Sequence, residues 1–186
     1  MTQVRLGKTE IVTNKNGFGA LPIQRISFEE AEKLILTAYE NGITFFDTAR
    51  FYTDSEEKLG RALSSRGLRH KVFIASKTMC SNTDQFWSQL ETSLSNLKTD
   101  YLDLYSIHWP LKTNRFWPDL DAYVGAYVGR EIAKTDNGDS DGLISLYKMG
   151  LARAIGVCNM EVHHIEKILA NPKCSVLPMV NQSHFH

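Results

Sequence analysis

From Gly42 to Tyr52 the sequence runs Gly-Ile-Thr-Phe-Phe-Asp-Thr-Ala-Arg-Phe-Tyr. Two of its residues, Asp47 and Tyr52, carry groups suited to moving a proton. A short apolar run followed by a polar group recurs down the chain: Val72 to Ala75 leads to Lys77, Tyr101 to Ile107 to His108, Ala154 to Val157 to Asn159, and Leu177 to Val180 to Gln182. A free tyrosine, with a pKa near 10, is too weak an acid for rapid donation at pH 7. An ammonium about 4 Å away, at an effective dielectric near 20, favours the phenolate by about 4 kcal/mol, which is about 3 pH units before desolvation offsets part of it. Lys77 is therefore expected to lower the pKa of Tyr52, with Asp47 as the ion-pair partner that keeps the ammonium charged. Taken singly, Asp47 is better explained as a loop cap, and His108 or Trp109 as a packed core residue. The repetition is what argues for chemistry.

The elements that must position these groups follow from the same runs. Ile43 to Phe46 is too short for a helix and too apolar for a surface strand, and reads as a buried parallel strand. Between the runs lie helical patterns. Ser27 and Glu30 form a capping box ahead of Ala31, Leu34, Ile35 and Ala38, and Asn41-Gly42 stops that helix. Further helices are expected over about Glu56 to Ser64, Asp84 to Leu97, Leu143 to Lys148 and Val162 to Ala170. A hairpin of Val4 to Leu6 and Glu10 to Val12 precedes a first strand at Gly17 to Leu21, which Pro22 ends. Gly17-Phe18-Gly19 has the look of a dinucleotide fingerprint, but Pro22 occupies the third glycine position and no helix starts there.

Six β segments alternating with five helices predict an α/β fold with a parallel sheet, either doubly wound or part of a (β/α)8 barrel. Polar groups at the C-terminal ends of five different strands argue for the barrel, where a site is assembled in that way. The whole chain, 1–186, reads as one domain of this kind. The segment Leu111 to Asp141 carries no interpretable pattern.

Composition narrows the partners. A hydrophobic fraction of 42% with 23% charged residues is ordinary for a globular protein. Lys plus Arg and Asp plus Glu both number 21, and this zero balance gives no footprint for nucleic acid or an anionic membrane. The first ten residues hold no apolar signal core and no run approaches the roughly 18 apolar residues of a span, so a cytoplasmic location is expected. Cys80, Cys158 and Cys174 form no CxxC pair and are expected to be reduced thiols, with no metal site. The Asn181-Gln182-Ser183 sequon has little weight without a secretory signal.

The motifs Gly42 to Ala49, Tyr52 before Ser55-Glu56, Ser76-Lys77-Thr78, Ile107-His108-Trp109-Pro110, Gly156-Val157-Cys158-Asn159 and Val180-Asn181-Gln182 together resemble the aldo-keto reductases, in family order over nearly the whole chain. The resemblance implies a TIM barrel that reduces a small-molecule aldehyde or ketone with a nicotinamide, NADP(H) ahead of NAD(H). It makes Asp47, Tyr52, Lys77 and His108 the catalytic tetrad, with Tyr52 as proton donor and His108 donating to the substrate oxygen. It places Cys158, Asn159 and Gln182 around the nicotinamide carboxamide, with Gly19, Ala20, Leu21 and Asp47 close to the cofactor, and makes Trp109 a wall of the substrate pocket. Cys158 stands where the family commonly has serine, and His184 where it commonly has glutamate. Pro22 to Ile26 resembles a branch that carries a C-terminal iron-sulfur extension. A barrel of this type has eight strands and typically about 250 residues. The sequence to His186 accounts for six βα units, and is expected to leave two strand edges open to association and to lack the loops that clamp the adenosine phosphate. A nicotinamide-binding auxiliary subunit and an inactive fragment are the alternatives to a reductase at this point.

Overall fold

Strand order decides between the two parallel architectures, because a doubly wound sheet reverses its order and a barrel does not. The computed structural model of the chain describes residues 2–80, 83–109, 142–172 and 174–183. Its main sheet runs β3 (Phe18–Gly19), β4 (Phe45–Asp47), β5 (Phe73–Thr78), β6 (Leu104–Ile107), β7 (Ile155–Cys158) and β8 (Val180–Gln182), in sequence order with every pair parallel. This is the sheet of a partial (β/α)8 barrel. Among the described residues β3 and β8 each have one strand neighbour. Helices α1 (Phe28–Glu40), α2 (Ser55–Ser65), α3 (Thr83–Leu97), α4 (Leu143–Lys148) and α5 (Val162–Ala170) cover the outer face. No helix among the described residues is long and apolar enough to cross a membrane.

Strand parity sorts the side chains. Outward residues Phe46, Ile74, Tyr105, Ile107, Ile155 and Val157 pack with Ile35, Leu59, Leu63, Phe86, Leu90 and Ile168 of the helices. Inward residues Ala75, Leu104 and Ala154, with Phe45, Phe73 and Val180, form a second cluster around Ile11. Since successive residues alternate faces, Asp47, Lys77, His108, Cys158 and Gln182 all share the inward parity. The five groups therefore converge at one end of the barrel by register alone.

The capping box at Ser27 and Glu30 forms as expected, with Ser27 N donating to Glu30 Oε2 at 2.9 Å and Glu30 N donating to Ser27 Oγ at 3.2 Å. Several strand boundaries differ from the sequence expectation, three of them for a reason visible in the structure. The hairpin pairs β1 (Gln3–Arg5) with β2 (Val12–Asn14), because residues 6–11 close into a wider turn. In that turn Leu6 N donates to Ile11 O at 2.9 Å and the Thr9 hydroxyl to Leu6 O at 2.7 Å. The first barrel strand is only Phe18–Gly19, followed by a 3-10 turn at Pro22–Arg25. The last strand lies at Val180–Gln182 and not at Leu177 to Val180, since Pro178 has no N–H for a ladder. The uninterpretable segment Leu111 to Asp141 lies outside the described residues, as does His184.

The hairpin lies under the barrel, at the end away from the site. Lys8 N donates to Met179 O at 3.1 Å ahead of β8, Thr13 Oγ1 lies 3.1 Å from Thr44 Oγ1, and Asn14 Nδ2 donates to Gly42 O ahead of β4. Gly7, at φ +53°, sits so close to the Met179 carbonyl that a Cβ has no room there.

Candidate active site

At the upper end of the barrel, Lys77 Nζ donates to Asp47 Oδ1 at 2.6 Å and to Thr48 O at 2.9 Å. Gln182 Nε2, from the far edge of the sheet, donates to Asp47 Oδ2 at 3.2 Å. The loop after β4 brings Tyr52 over this pair, with its hydroxyl 3.4 Å from His108 Nε2 and its ring centroid 5.7 Å from Lys77 Nζ. The Tyr52 and His108 rings meet edge to face at 5.5 Å. Asn159, in the left-handed conformation at φ +58° that asparagine tolerates better than most residues, donates through Nδ2 to His108 O at 3.3 Å and to Cys158 Sγ at 3.2 Å. A cavity of about 460 Å³ opens above, lined by Tyr52, Lys77, His108, Cys158, Asn159 and Gln182 among others. Its size is that of a small-molecule site.

The electrostatics correct one expectation. Tyr52 is not made more acidic by Lys77; its pKa is pushed up to about 12, by burial first, then by the Asp47 carboxylate and by Cys158. The reason is that Lys77 is paired at 2.6 Å with Asp47. Desolvation, with the Asp47 carboxylate beside it, decides, and the phenol keeps its proton. His108 moves the other way, down to about 4, through burial and then the Lys77 charge, so it is a neutral imidazole. Its Nδ1 is buried without a hydrogen-bond partner among the described residues. A buried lone pair is the less demanding state for that atom, which puts the hydrogen on Nε2, facing Tyr52. Burial also pushes the Cys158 thiol up to about 11, so it is a poor nucleophile at neutral pH. All three cysteines are free thiols.

The aldo/keto reductase family model matches residues 15–186. The chain belongs to that family. It is 34% identical over 167 residues to methylglyoxal reductase DkgA of Salmonella typhimurium, a match covering 89% of this chain and 53% of that protein. It is 36% identical over 175 residues to the glyoxal reductase of Bacillus subtilis, covering 91% of this chain and 53% of that one. The crystal structure of a Bombyx mori aldo-keto reductase in complex with NADP superposes with a TM-score of 0.74 at 25% identity, over all of this chain and 59% of its own. The chain thus spans about half the length of these aldo-keto reductase relatives.

Of the residues read from sequence, Asp47, Tyr52, Lys77 and His108 stand together, and Leu21, Trp109, Cys158, Asn159 and Gln182 join them. Gly19 and Ala20 do not line the cavity. Gly19 is paired with Asp47 in the sheet, and Ala20 is fully buried, its N–H donating to Asp47 O at 2.8 Å. Sequence reasoning missed Phe51 and Met79, both on the cavity wall. Met79 was legible as the next inward residue after Lys77. Phe51 was legible as an aromatic stranded in a polar loop, and it is 51% exposed beside Trp109 at 43% and Leu21 at 42%.

Proposed function

We propose that this chain carries the proton-donating site of an NAD(P)H-dependent carbonyl reductase, in which Tyr52 protonates the oxygen of a small aldehyde or ketone. The supporting observation is the Tyr52 hydroxyl 3.4 Å from His108 Nε2, on the wall of a cavity also lined by Lys77, which is ion-paired with Asp47. A bound nicotinamide supplies the hydride. Cys158, Asn159 and Gln182 are the residues proposed to hold its carboxamide. The donor set fits: an amide wants a donor and an acceptor together, and at adjoining strand ends Asn159 keeps its Oδ1 as an acceptor while Gln182 keeps its Oε1 and a second Nε2 hydrogen. Gly19, Ala20, Leu21 and Asp47 frame the same end of the barrel. NADP(H) is proposed ahead of NAD(H), supported by the NADP in the Bombyx mori structure. The names of the bacterial relatives point to small 2-oxoaldehydes as the substrate class. The apolar rim of Leu21, Phe51 and Trp109 suits the non-reacting end of such a molecule.

In this proposal Tyr52 stays a phenol through the neutral range and has a proton to give. An alkoxide is a far stronger base than the phenolate: its conjugate acid is about as weak as water, at 15.7, so donation from Tyr52 is downhill. His108 Nε2–H shares the developing negative charge. Lys77 then faces the phenolate that donation leaves behind.

The test is Tyr52→Phe, which keeps the ring and deletes the proton. Reduction of methylglyoxal with NADPH is expected to fall by about 10² to 10⁴-fold with NADPH affinity unchanged. Undiminished turnover in the variant refutes the assignment. NADPH binding without turnover of any carbonyl by the wild type points to an auxiliary role instead.

A further inference from the structure

The first turn of α2 holds three polar side chains that are almost completely buried, and each reaches a different part of the site. Ser55 Oγ donates to Ala20 O at 2.8 Å and lies 3.0 Å from Thr48 Oγ1. Lys58 Nζ donates to Ile23 O at 3.1 Å and Ile26 O at 2.6 Å, holding the 3-10 turn. Glu56, with no exposed surface, accepts from Ser76 Oγ at 2.7 Å, next to Lys77, and from Arg50 Nη1 in the tyrosine loop. Arg50 in turn donates through Nη2 to Thr53 O at 3.3 Å, and its backbone N–H donates to Lys77 O at 3.0 Å.

Two features of this arrangement are unfavourable on their own. A carboxylate without solvent contact is costly to bury, even when paired. Thr53, directly after Tyr52, is a β-branched residue at φ +40°, a conformation such side chains rarely adopt. The Arg50–Glu56 pair, the Lys58–Asp54 ion pair at 2.8 Å and the Thr53 hydroxyl, which donates to Gln24 Oε1 at 3.2 Å, help to hold it there.

We infer that Glu56 is a positioning residue: acting through Arg50, it fixes the loop of residues 50–54 so that the Tyr52 hydroxyl is held against His108. The pair is asymmetric. Arg50 has 21% of its side chain exposed and Glu56 none. When the Glu56 charge is removed, Arg50 can turn to water and release Thr53. Arg50→Lys leaves Glu56 a cation and removes only the second guanidinium donor. The catalytic consequence rests on the proposed reductase reading, while the restraint on the loop does not.

The experiment compares the wild-type chain with Glu56→Gln and Arg50→Lys by amide hydrogen exchange and by steady-state reduction of methylglyoxal. The reporters are the Arg50 and Tyr52 amides, hydrogen-bonded to Lys77 O and Ala49 O. In Glu56→Gln, exchange in residues 50–54 should accelerate at least tenfold while β5 and the body of α2 keep their protection. The kcat should fall at least tenfold with KM for carbonyl and NADPH within threefold. Arg50→Lys should fold and give a few-fold local acceleration, which decides the matter if Glu56→Gln does not fold. Unchanged exchange in residues 50–54 overturns the inference. So does acceleration spread evenly over α2 and β5, the signature of a packing role, or local acceleration with kcat unchanged. A wild type that reduces nothing counts against the reductase reading, and the exchange result still decides whether Glu56 holds the loop.

Discussion

Replacing Asp47 with asparagine should make Tyr52 a stronger acid, against the intuition that removing a residue from an active site weakens its chemistry. In the native site the Asp47 carboxylate both raises the Tyr52 pKa directly and neutralises Lys77, 2.6 Å away. Asparagine keeps the shape and an acceptor for the ammonium but removes the charge. Lys77 then presents an unopposed unit charge 5.7 Å from the Tyr52 ring centroid. At an effective dielectric of about 20, which includes screening from the open cavity, this favours the phenolate by about 3 kcal/mol, or about 2 pH units. The Tyr52 midpoint should fall from about 12 to about 10, into a range where the folded protein can be titrated. The assay is ¹³C NMR of ring-labelled tyrosine across pH 8 to 12, with Tyr52→Phe identifying the resonance and circular dichroism confirming the fold. Asp47→Asn combined with Lys77→Met should return the midpoint toward its native value, since only burial remains. A Tyr52 midpoint that stays at or above 12 in Asp47→Asn refutes the reasoning, because Lys77 would then exert no field on the phenol.

Two further perturbations probe the scaffold. His108 has a folded pKa of about 4 against an ordinary 6.5, so between these values the unfolded chain binds the extra proton. Stability is therefore fully present above pH 6.5 and is lost as pH falls toward 4, by up to about 3 kcal/mol. Urea titrations at pH 7 and pH 4.5 measure this, and His108→Asn should flatten the difference; an unchanged slope would falsify it. At the opposite end of the strands, fully buried Asp103 accepts from Arg69 Nη1 at 2.9 Å, Arg153 Nη1 at 2.8 Å and Ile74 N at 2.9 Å. Asp103→Ala takes the buried carboxylate from two guanidiniums and an amide and should destabilise by about 3 to 5 kcal/mol, and a loss under about 1 kcal/mol would show that their other partners and solvent take over its role.

The barrel was legible because its determinants are local. The cap at Ser27, the stop at Asn41-Gly42 and the inward parity that lines up Asp47, Lys77 and His108 are all properties of short stretches. What escaped was tertiary. Nothing in Ser55-Glu56-Glu57-Lys58 tells which glutamate faces water, since Glu56 is buried only because Arg50 and Ser76 arrive from other segments. The sign of the Tyr52 shift escaped for the same reason. The Lys77–Asp47 pair was expected and forms, but a sequence does not tell how deeply Tyr52 is buried beside it, and burial is what sets the direction of its shift. The pairing of Gly19 with Asp47 in the sheet and the full burial of Ala20 were likewise not readable from the sequence.

The hairpin beneath the barrel joins the first residues of the chain to nearly the last described ones, through Lys8 and the Met179 carbonyl. Contacts separated by almost the whole chain carry the largest loop-closure entropy and form late in folding. On a ribosome the hairpin emerges well before β8 and must wait for it, so the mouth of the barrel can take shape before its underside is sealed. A substitution such as Gly7→Ala should for that reason act on the unfolding rate, visible as a steeper loss in double-jump stopped-flow, and leave the folding rate nearly untouched. The turn at Gly7 is then a latch on lifetime, setting how long a formed site persists and having little part in whether it forms.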